Sequence, residues 1–93
     1  MSSRSAEYRR RFALVREIVN RFDPIGLIAS GCPANEYEQE IALVLVAMKD
    51  AISHADLRAR IKGVFAERFS PTDVAWHFRW GELARELWAI RDR

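Results

Sequence analysis

An apolar stripe with helical spacing runs along the first 22 residues and sets the first constraint on the fold. Its large side chains recur at intervals of four, three, four and three residues: Tyr8, Phe12, Val15, Val19 and Phe22. This spacing places apolar side chains on one face of an α-helix and leaves the other faces to the arginines. Asp23-Pro24 should end the helix, because a residue that precedes proline avoids helical backbone angles.

The segment that follows predicts a connector and then a second long helix. Asp23 and Pro24 suit the N-cap and first position of a short helical turn, while Gly26 and Gly31 disfavour a long helix. Asn35 should cap the second helix, with Glu38 in capping-box position three residues on. The apolar run Ile41–Met48 extends it as a central helix that we expect to be buried on most sides.

Two more helices are predicted in the second half of the chain. One covers residues 54–69, begins after Ser53 as N-cap, and carries an apolar stripe. Another begins at Ser70-Pro71, where serine suits the N-cap and proline the first helical position. Gly81 is a place where this last helix could bend. Its stripe is Trp76, Trp80, Leu83, Leu87 and Ile90.

Composition supports one all-α domain over residues 1–93. Apolar residues make up 49% of the chain and charged residues 30%, with only four Gly and three Pro, too few for a turn-rich β protein. Four helices with short connections predict a compact antiparallel bundle. Because no segment has the length of a membrane span or the apolar core of a signal peptide, we expect a cytoplasmic protein.

Residues that carry catalytic chemistry are sparse. The single cysteine, Cys32, excludes a disulfide framework and has no histidine near it in sequence. His54 and His77 belong to no metal-binding spacing, and no phosphate-binding glycine loop is present. The sequence therefore predicts a protein that is not an enzyme and has no metal site or cofactor.

Charge is unevenly distributed and suggests binding surfaces instead. Residues 1–22 contain six Arg and two Glu, whereas residues 23–40 contain four carboxylates and no Lys or Arg. The acidic stretch suits a basic partner, although caps and helix-dipole effects explain the same residues. It contains Asp23, Glu36, Tyr37, Glu38 and Glu40.

Two alternatives stay open beside the acidic stretch. The arginines of the first helix could bind nucleic acid through its phosphates, or could simply form a solvated helix face. The tryptophans of the last helix favour core positions, but Trp88, near the end of the chain, suits an exposed contact and would allow self-association.

The acidic stretch also resembles a known signature. Asp23-Pro24-Ile25-Gly26 followed by Gly31-Cys32-Pro33-Ala34-Asn35-Glu36-Tyr37 is similar to the pattern DPIG, a short gap, then G-x-P-x-(D/N)-E-Y, of small helical bacterial proteins. That group includes immunity proteins encoded beside contact-dependent growth inhibition and other polymorphic toxin systems. The similarity covers roughly residues 22–41, and elsewhere only helical patterning is shared.

The resemblance implies an antitoxin that binds one cognate toxin domain, one to one, and blocks its active site. Many such toxins are nucleases with basic substrate sites. It implies that four carboxylates make electrostatic contacts and that Tyr37 is an aromatic anchor. Because residues common to such a group should be structural, Asp23, Pro24, Gly26 and Tyr37 are equally explained as supports of the connector. The carboxylates are Asp23, Glu36, Glu38 and Glu40.

Overall fold

The computed structural model describes residues 2–69 and 78–91, and these ranges contain four helices and no strand. The helices are α1 (Ser2–Phe22), α2 (Glu38–Asp50), α3 (His54–Arg68) and α4 (Trp80–Ile90). Each packs against its neighbours, with α1 between α2 and α4, and α3 also between α2 and α4. The predicted all-α bundle is confirmed. None of the helices in these ranges is both long and apolar enough to cross a membrane.

Helix α1 follows its predicted stripe and ends where proline requires. Val15, Val19 and Phe22 are buried, while Tyr8, nearest the start, is half exposed. The amide N–H of Asp23 still donates to the carbonyl of Val19 over 2.7 Å, and Asp23 then adopts a left-handed backbone with φ of 51°. That positive φ turns the chain out of the helix before Pro24.

Helix α2 begins two residues later than predicted, because its N-cap is Tyr37 rather than Asn35. Tyr37 occupies the N-cap position, and no side chain caps the helix there. The carbonyl of Asn35 instead accepts the amide N–H of Glu38 over 3.3 Å, as part of a turn that precedes the helix. The capping-box prediction for Asn35 and Glu38 is therefore wrong.

Helix α2 is also less enclosed than its apolar run predicted. One face, which includes Ile41 and Val44, is buried against α1 and α3. The opposite face leaves Leu43 41% and Val46 55% exposed. A continuous apolar run covers every side of a helix, and the neighbouring helices cover only one of them.

Helix α3 matches its predicted start and stripe. The hydroxyl of Ser53 accepts the amide N–H of Asp56 over 3.0 Å, and the Asp56 carboxylate accepts the amide N–H of Ile52 over 3.1 Å. These two bonds satisfy donors that a helix N-terminus leaves without partners. Its buried residues are Leu57, Ile61 and Phe65.

Helix α4 is shorter than predicted. Residues 70–77, with the predicted start at Ser70-Pro71 and Trp76, lie outside the described residues. Phe78 and Arg79 are not helical, so the helix begins at Trp80 rather than running through from the predicted start. Gly81 lies in its first turn and does not interrupt it. The buried residues are Trp80, Leu83, Ala84 and Leu87.

Aromatic rings join the helices at the centre of the bundle. The ring of Phe65 lies 5.9 Å from that of Tyr37 and 5.5 Å from that of Trp80, centroid to centroid. Phe78 contacts Trp80 edge-on at 4.7 Å. Trp80 is fully buried, as its predicted core position requires, whereas Trp88 is half buried beneath the guanidinium of Arg91. Phe65 therefore connects the start of α2 to α3 and α4.

We expect Phe65→Ala to lower the free energy of unfolding by about 3–5 kcal/mol, because it removes a fully buried ring and leaves a cavity. Urea unfolding followed by circular dichroism measures the change. Ile52→Ala is the matched control, since Ile52 is 87% exposed and its truncation should stay within about 0.5 kcal/mol of the parent. Equal losses in the two variants would contradict the assignment of Phe65 to the core.

Candidate functional site

A buried hydrogen bond between Tyr37 and Asp23 organises the connector from Asp23 to Tyr37. The Tyr37 hydroxyl donates to Oδ1 of Asp23 over 2.6 Å. It also accepts the amide N–H groups of Ile25 over 3.1 Å and Leu27 over 3.3 Å. The Tyr37 side chain is 0% exposed. In this structure Tyr37 holds the connector from inside and does not present its ring as a surface anchor.

The Asp23 carboxylate also binds two backbone amides within the connector. Its Oδ1 accepts the amide N–H of Ile28 over 3.0 Å, and its Oδ2 accepts that of Ala29 over 2.9 Å. Asp23 thus bonds to amides five and six residues later, rather than capping the first turn of a short helix as predicted. Gly26 and Gly31 adopt φ of 84° and 95°, a backbone region that favours glycine, so the connector is a series of turns.

This network shifts both titratable groups of the pair. Burial, together with the hydrogen bond to the Asp23 carboxylate, raises the pKa of Tyr37 to about 12, although the amides of Ile25 and Leu27 act in the opposite direction. Burial also acts to raise the pKa of Asp23, but the Tyr37 hydroxyl and the backbone amides of Ala29 and Ile28 outweigh it and hold that pKa below its usual value. The folded connector therefore favours neutral Tyr37 and ionised Asp23.

The remaining three predicted residues line one groove at the start of α2. Glu36, Glu38 and Glu40 face an open space of about 520 Å³, with Arg68 of α3 as its basic residue. We call this the acidic groove. Its other lining residues are Leu27, Asn35, Gln39 and Phe69. The predicted clustering of carboxylates is thus present in the structure for these three, and Asp23 and Tyr37 lie outside the groove lining.

The three carboxylates of the acidic groove differ in their exposure and partners. Glu40 is 5% exposed and accepts a hydrogen bond from Nε of Arg68, whose Nη2 bonds to Gln39. Glu38 is half exposed and lies 3.3 Å from Nη1 of Arg16 in α1. Glu36 is exposed, and no ion pair joins it to any other described residue. The charges of Glu36 and Glu38 are therefore accessible at the surface, while Glu40 is buried.

Sequence reasoning identified these carboxylates but not their basic partners. Arg68 lies 28 residues from Glu40, and Arg16 lies 22 residues from Glu38. Only the packing of α3 and α1 against the start of α2 brings the two arginines there. Helical spacing gives no signal for such pairs, because it reports neighbours within one helix.

The arginines of α1 are largely occupied by carboxylates. Arg10 and Arg11 both bind Glu7, over 2.7 and 3.0 Å. Arg16 binds Glu38, and Arg21 binds Glu86 over 2.6 Å. Arg4 and Arg9 alone among the six have no ion pair within the described residues. These carboxylates neutralise part of the positive charge of α1, so the helix offers a phosphate backbone less net charge than its six arginines suggest.

The other candidate groups have local roles. Nε2 of His54 lies 3.1 Å from the carbonyl oxygen of Gly81, which ties the start of α3 to α4. Cys32 is half buried and carries a free thiol. Among the residues that the structure describes, no three His, Cys, Asp or Glu side chains lie close enough together to hold a metal ion.

We expect Tyr37→Phe to destabilise the protein by about 1–3 kcal/mol, because two backbone amides and one carboxylate oxygen lose a buried hydrogen-bond partner. Urea unfolding at neutral pH measures this loss. Tyr8→Phe removes the same hydroxyl from a half-exposed ring and serves as the control, with a change within about 0.5 kcal/mol. Indistinguishable stabilities of the two variants would show that the connector does not depend on the Tyr37 hydroxyl.

The same pair predicts how stability changes with pH. Because folding raises the pKa of Tyr37, its stabilising contribution is complete below its unfolded pKa of about 10 and is lost as the pH rises towards 12. Folding lowers the pKa of Asp23. The stabilising contribution of Asp23 is therefore complete above its unfolded pKa of about 4 and is lost at lower pH. The difference in unfolding free energy between the parent and Tyr37→Phe should therefore become smaller as the pH rises from about 10 towards 12. The difference between the parent and Asp23→Asn should become smaller as the pH falls below about 4. Differences in unfolding free energy that stay constant across both pH ranges would contradict the pKa shifts of Tyr37 and Asp23.

Comparisons with known proteins give no family for the chain. No protein-family model matches it, and no curated protein or solved structure matches it significantly. The similarity of residues 22–41 to the immunity-protein signature therefore stays an expectation from the motif.

Proposed function

We propose that this protein is an immunity protein that binds a cognate bacterial toxin domain and blocks its active site. The acidic groove carries the proposal, because it gathers three carboxylates with one guanidinium beside a rigid connector. Such a surface suits a basic cleft of the kind that nucleases use for phosphate backbones. The complex would form in the cytoplasm with one copy of each protein.

Glu36 and Glu38 are the carboxylates best placed to contact the toxin. Glu36 is exposed, and its charge is not compensated by an ion pair with a described residue. The pair between Glu38 and Arg16 is half exposed, and such pairs contribute little to stability. Glu38 can therefore exchange Arg16 for a basic side chain of the partner at small cost.

The connector gives these carboxylates a fixed position. Glu36 directly precedes Tyr37, whose buried hydroxyl is bonded to Asp23 at the end of α1. The side-chain amide of Asn20 also donates to the carbonyl of Ala34 over 2.7 Å. A charged group held in place before binding loses less conformational entropy on association. In this proposal the signature residues build the scaffold, and the glutamates beside them contact the toxin.

The test uses the toxin domain encoded by the neighbouring open reading frame. Co-expression should restore the growth of cells that produce this domain, and size-exclusion chromatography with light scattering should show a one-to-one complex. The absence of both rescue and complex formation at micromolar concentrations would exclude the proposed function.

Charge reversal then tests the acidic groove itself. Glu36→Lys combined with Glu38→Lys should slow association with the toxin domain at least about tenfold, because like charges then oppose the encounter. Surface plasmon resonance at two salt concentrations measures the association rate. Glu82→Lys is the control, since Glu82 is an exposed carboxylate of α4 that lies outside the groove lining. Glu40 is left unchanged because it is buried. Unaltered binding with an intact helical spectrum would show that the toxin contacts another surface.

A further inference from the structure

A second groove lies at the opposite end of α2 from the acidic groove. It has a volume of about 750 Å³ and runs between α1 and α2. Tyr8 of α1, 51% exposed, and Leu43 and Val46 of α2 form its apolar surface. We call it the apolar groove. Three large apolar side chains exposed side by side are typical of an interaction surface, whereas single exposed ones are ordinary.

Among the residues that the structure describes, every charged residue that lines the apolar groove is basic. These residues are Arg11, Lys49 and Arg91. The Nη1 group of Arg11 donates to the carbonyl of Arg91 over 2.8 Å, and the Arg91 guanidinium lies 3.9 Å from the centre of the Trp88 ring. Lys49 is exposed and has no ion pair with another described residue. The groove therefore has a basic rim, in which Glu7 pairs with Arg11 over 3.0 Å, while Lys49 and Arg91 have no ion pair with a described residue.

The two walls of the apolar groove are antiparallel helices. Arg16, late in α1, binds Glu38 at the start of α2, while Tyr8, early in α1, lines the same groove as Val46 near the end of α2. Residues 42–49 of α2 span about 10 Å, or two helical turns. A third helix fits between two such walls and would contact them with apolar residues at helical spacing.

We propose that the apolar groove docks an amphipathic helix of a partner protein, whose apolar stripe is flanked by Asp or Glu. The apolar stripe would cover Leu43 and Val46, and the flanking carboxylates would face Lys49, Arg11 and Arg91. This surface shares no residue with the acidic groove, so the inference does not depend on the proposed immunity function.

Charge and shape favour this occupant over two others. A second copy of the chain, docked through the same groove, would bring its own Lys49, Arg11 and Arg91 against these cations, and like charges across an interface are unfavourable. An anionic membrane would match the charge, but it requires apolar side chains that protrude. Here Tyr8, Leu43 and Val46 are only about half exposed and belong to a groove that residues of both α1 and α2 line.

The experiment uses two synthetic amphipathic peptides of about four helical turns, which is long enough for some helical structure in water. Both carry leucines at helical spacing, flanked by glutamates in one peptide and by lysines in the other. Titration into the isotope-labelled protein is followed by NMR. The acidic peptide should bind with micromolar affinity, shift the amide signals of Leu43, Val46 and Lys49, and weaken as salt is added. The basic peptide should bind at least tenfold more weakly.

Variants of exposed residues complete the test without threatening the fold. Leu43→Ser combined with Val46→Ser should weaken binding of the acidic peptide at least tenfold, while the helical spectrum stays unchanged. Ile52→Ser is the matched control, because Ile52 is an exposed apolar residue outside the groove lining and should leave binding unaltered.

Several results would overturn the inference. Equal affinity for the two peptides would show that the basic rim does not select its partner. No binding, or signal shifts confined to another surface, would remove the groove as a peptide site. Concentration-dependent dimerisation that the double variant abolishes would assign the groove to a second copy. Binding to vesicles of phosphatidylcholine and phosphatidylserine, without binding of the acidic peptide, would assign it to a lipid surface.

Discussion

The hydrogen bond between Tyr37 and Asp23 is the interaction on which the arrangement of the helices depends. It joins the residue after α1 to the residue before α2, and the same two side chains bind four backbone amides of the connector between them. The connector also has backbone hydrogen bonds of its own, and these two side chains bind the amides of Ile25, Leu27, Ile28 and Ala29 in addition. The Tyr37 ring also packs on Phe65, which ties the connector to the core. One residue thus fixes both the path of the connector and the point at which α2 begins.

The position of α2 explains why the molecule has two different grooves. Its first turn meets α3 through the ion pair of the buried Glu40 with the partly exposed Arg68, and carboxylates gather there. Its last turns meet the start of α1, where Tyr8 and Val46 stay exposed and the surrounding charges are basic. Both surfaces follow from a helix that is covered on one side only.

Local sequence patterns predict the elements of this fold well and their contacts poorly. The stripe of α1, its end before Pro24 and the Ser53 cap of α3 all depend on residues close together in sequence, and all three are present. The predicted start of α2 differs from the observed one because the Tyr37 hydroxyl binds Asp23, fourteen residues away in sequence. Rules for helix starts consider only neighbouring residues and do not include such a partner. The burial of Glu40 likewise depends on Arg68. One feature of the sequence does indicate that Val46 could be exposed. The apolar run Ile41–Met48 is continuous, so a helix that buries a single face leaves some of its apolar residues exposed.

Charge on α2 contributes to helix stability whether or not the proposed recognition occurs, and position along the helix separates the two possible roles. Glu38 and Glu40 lie in the first turn of α2 and Lys49 lies in the last. The helix dipole favours this arrangement of charges independently of any partner. Glu40 also has Arg68, so its charge is fully explained by the fold. Glu36 lies before the helix, is exposed and has no ion pair with a described residue, so neither the dipole nor packing accounts for its charge. Under the proposed function, Glu36 is therefore the glutamate of the acidic groove whose charge is most available to the toxin domain.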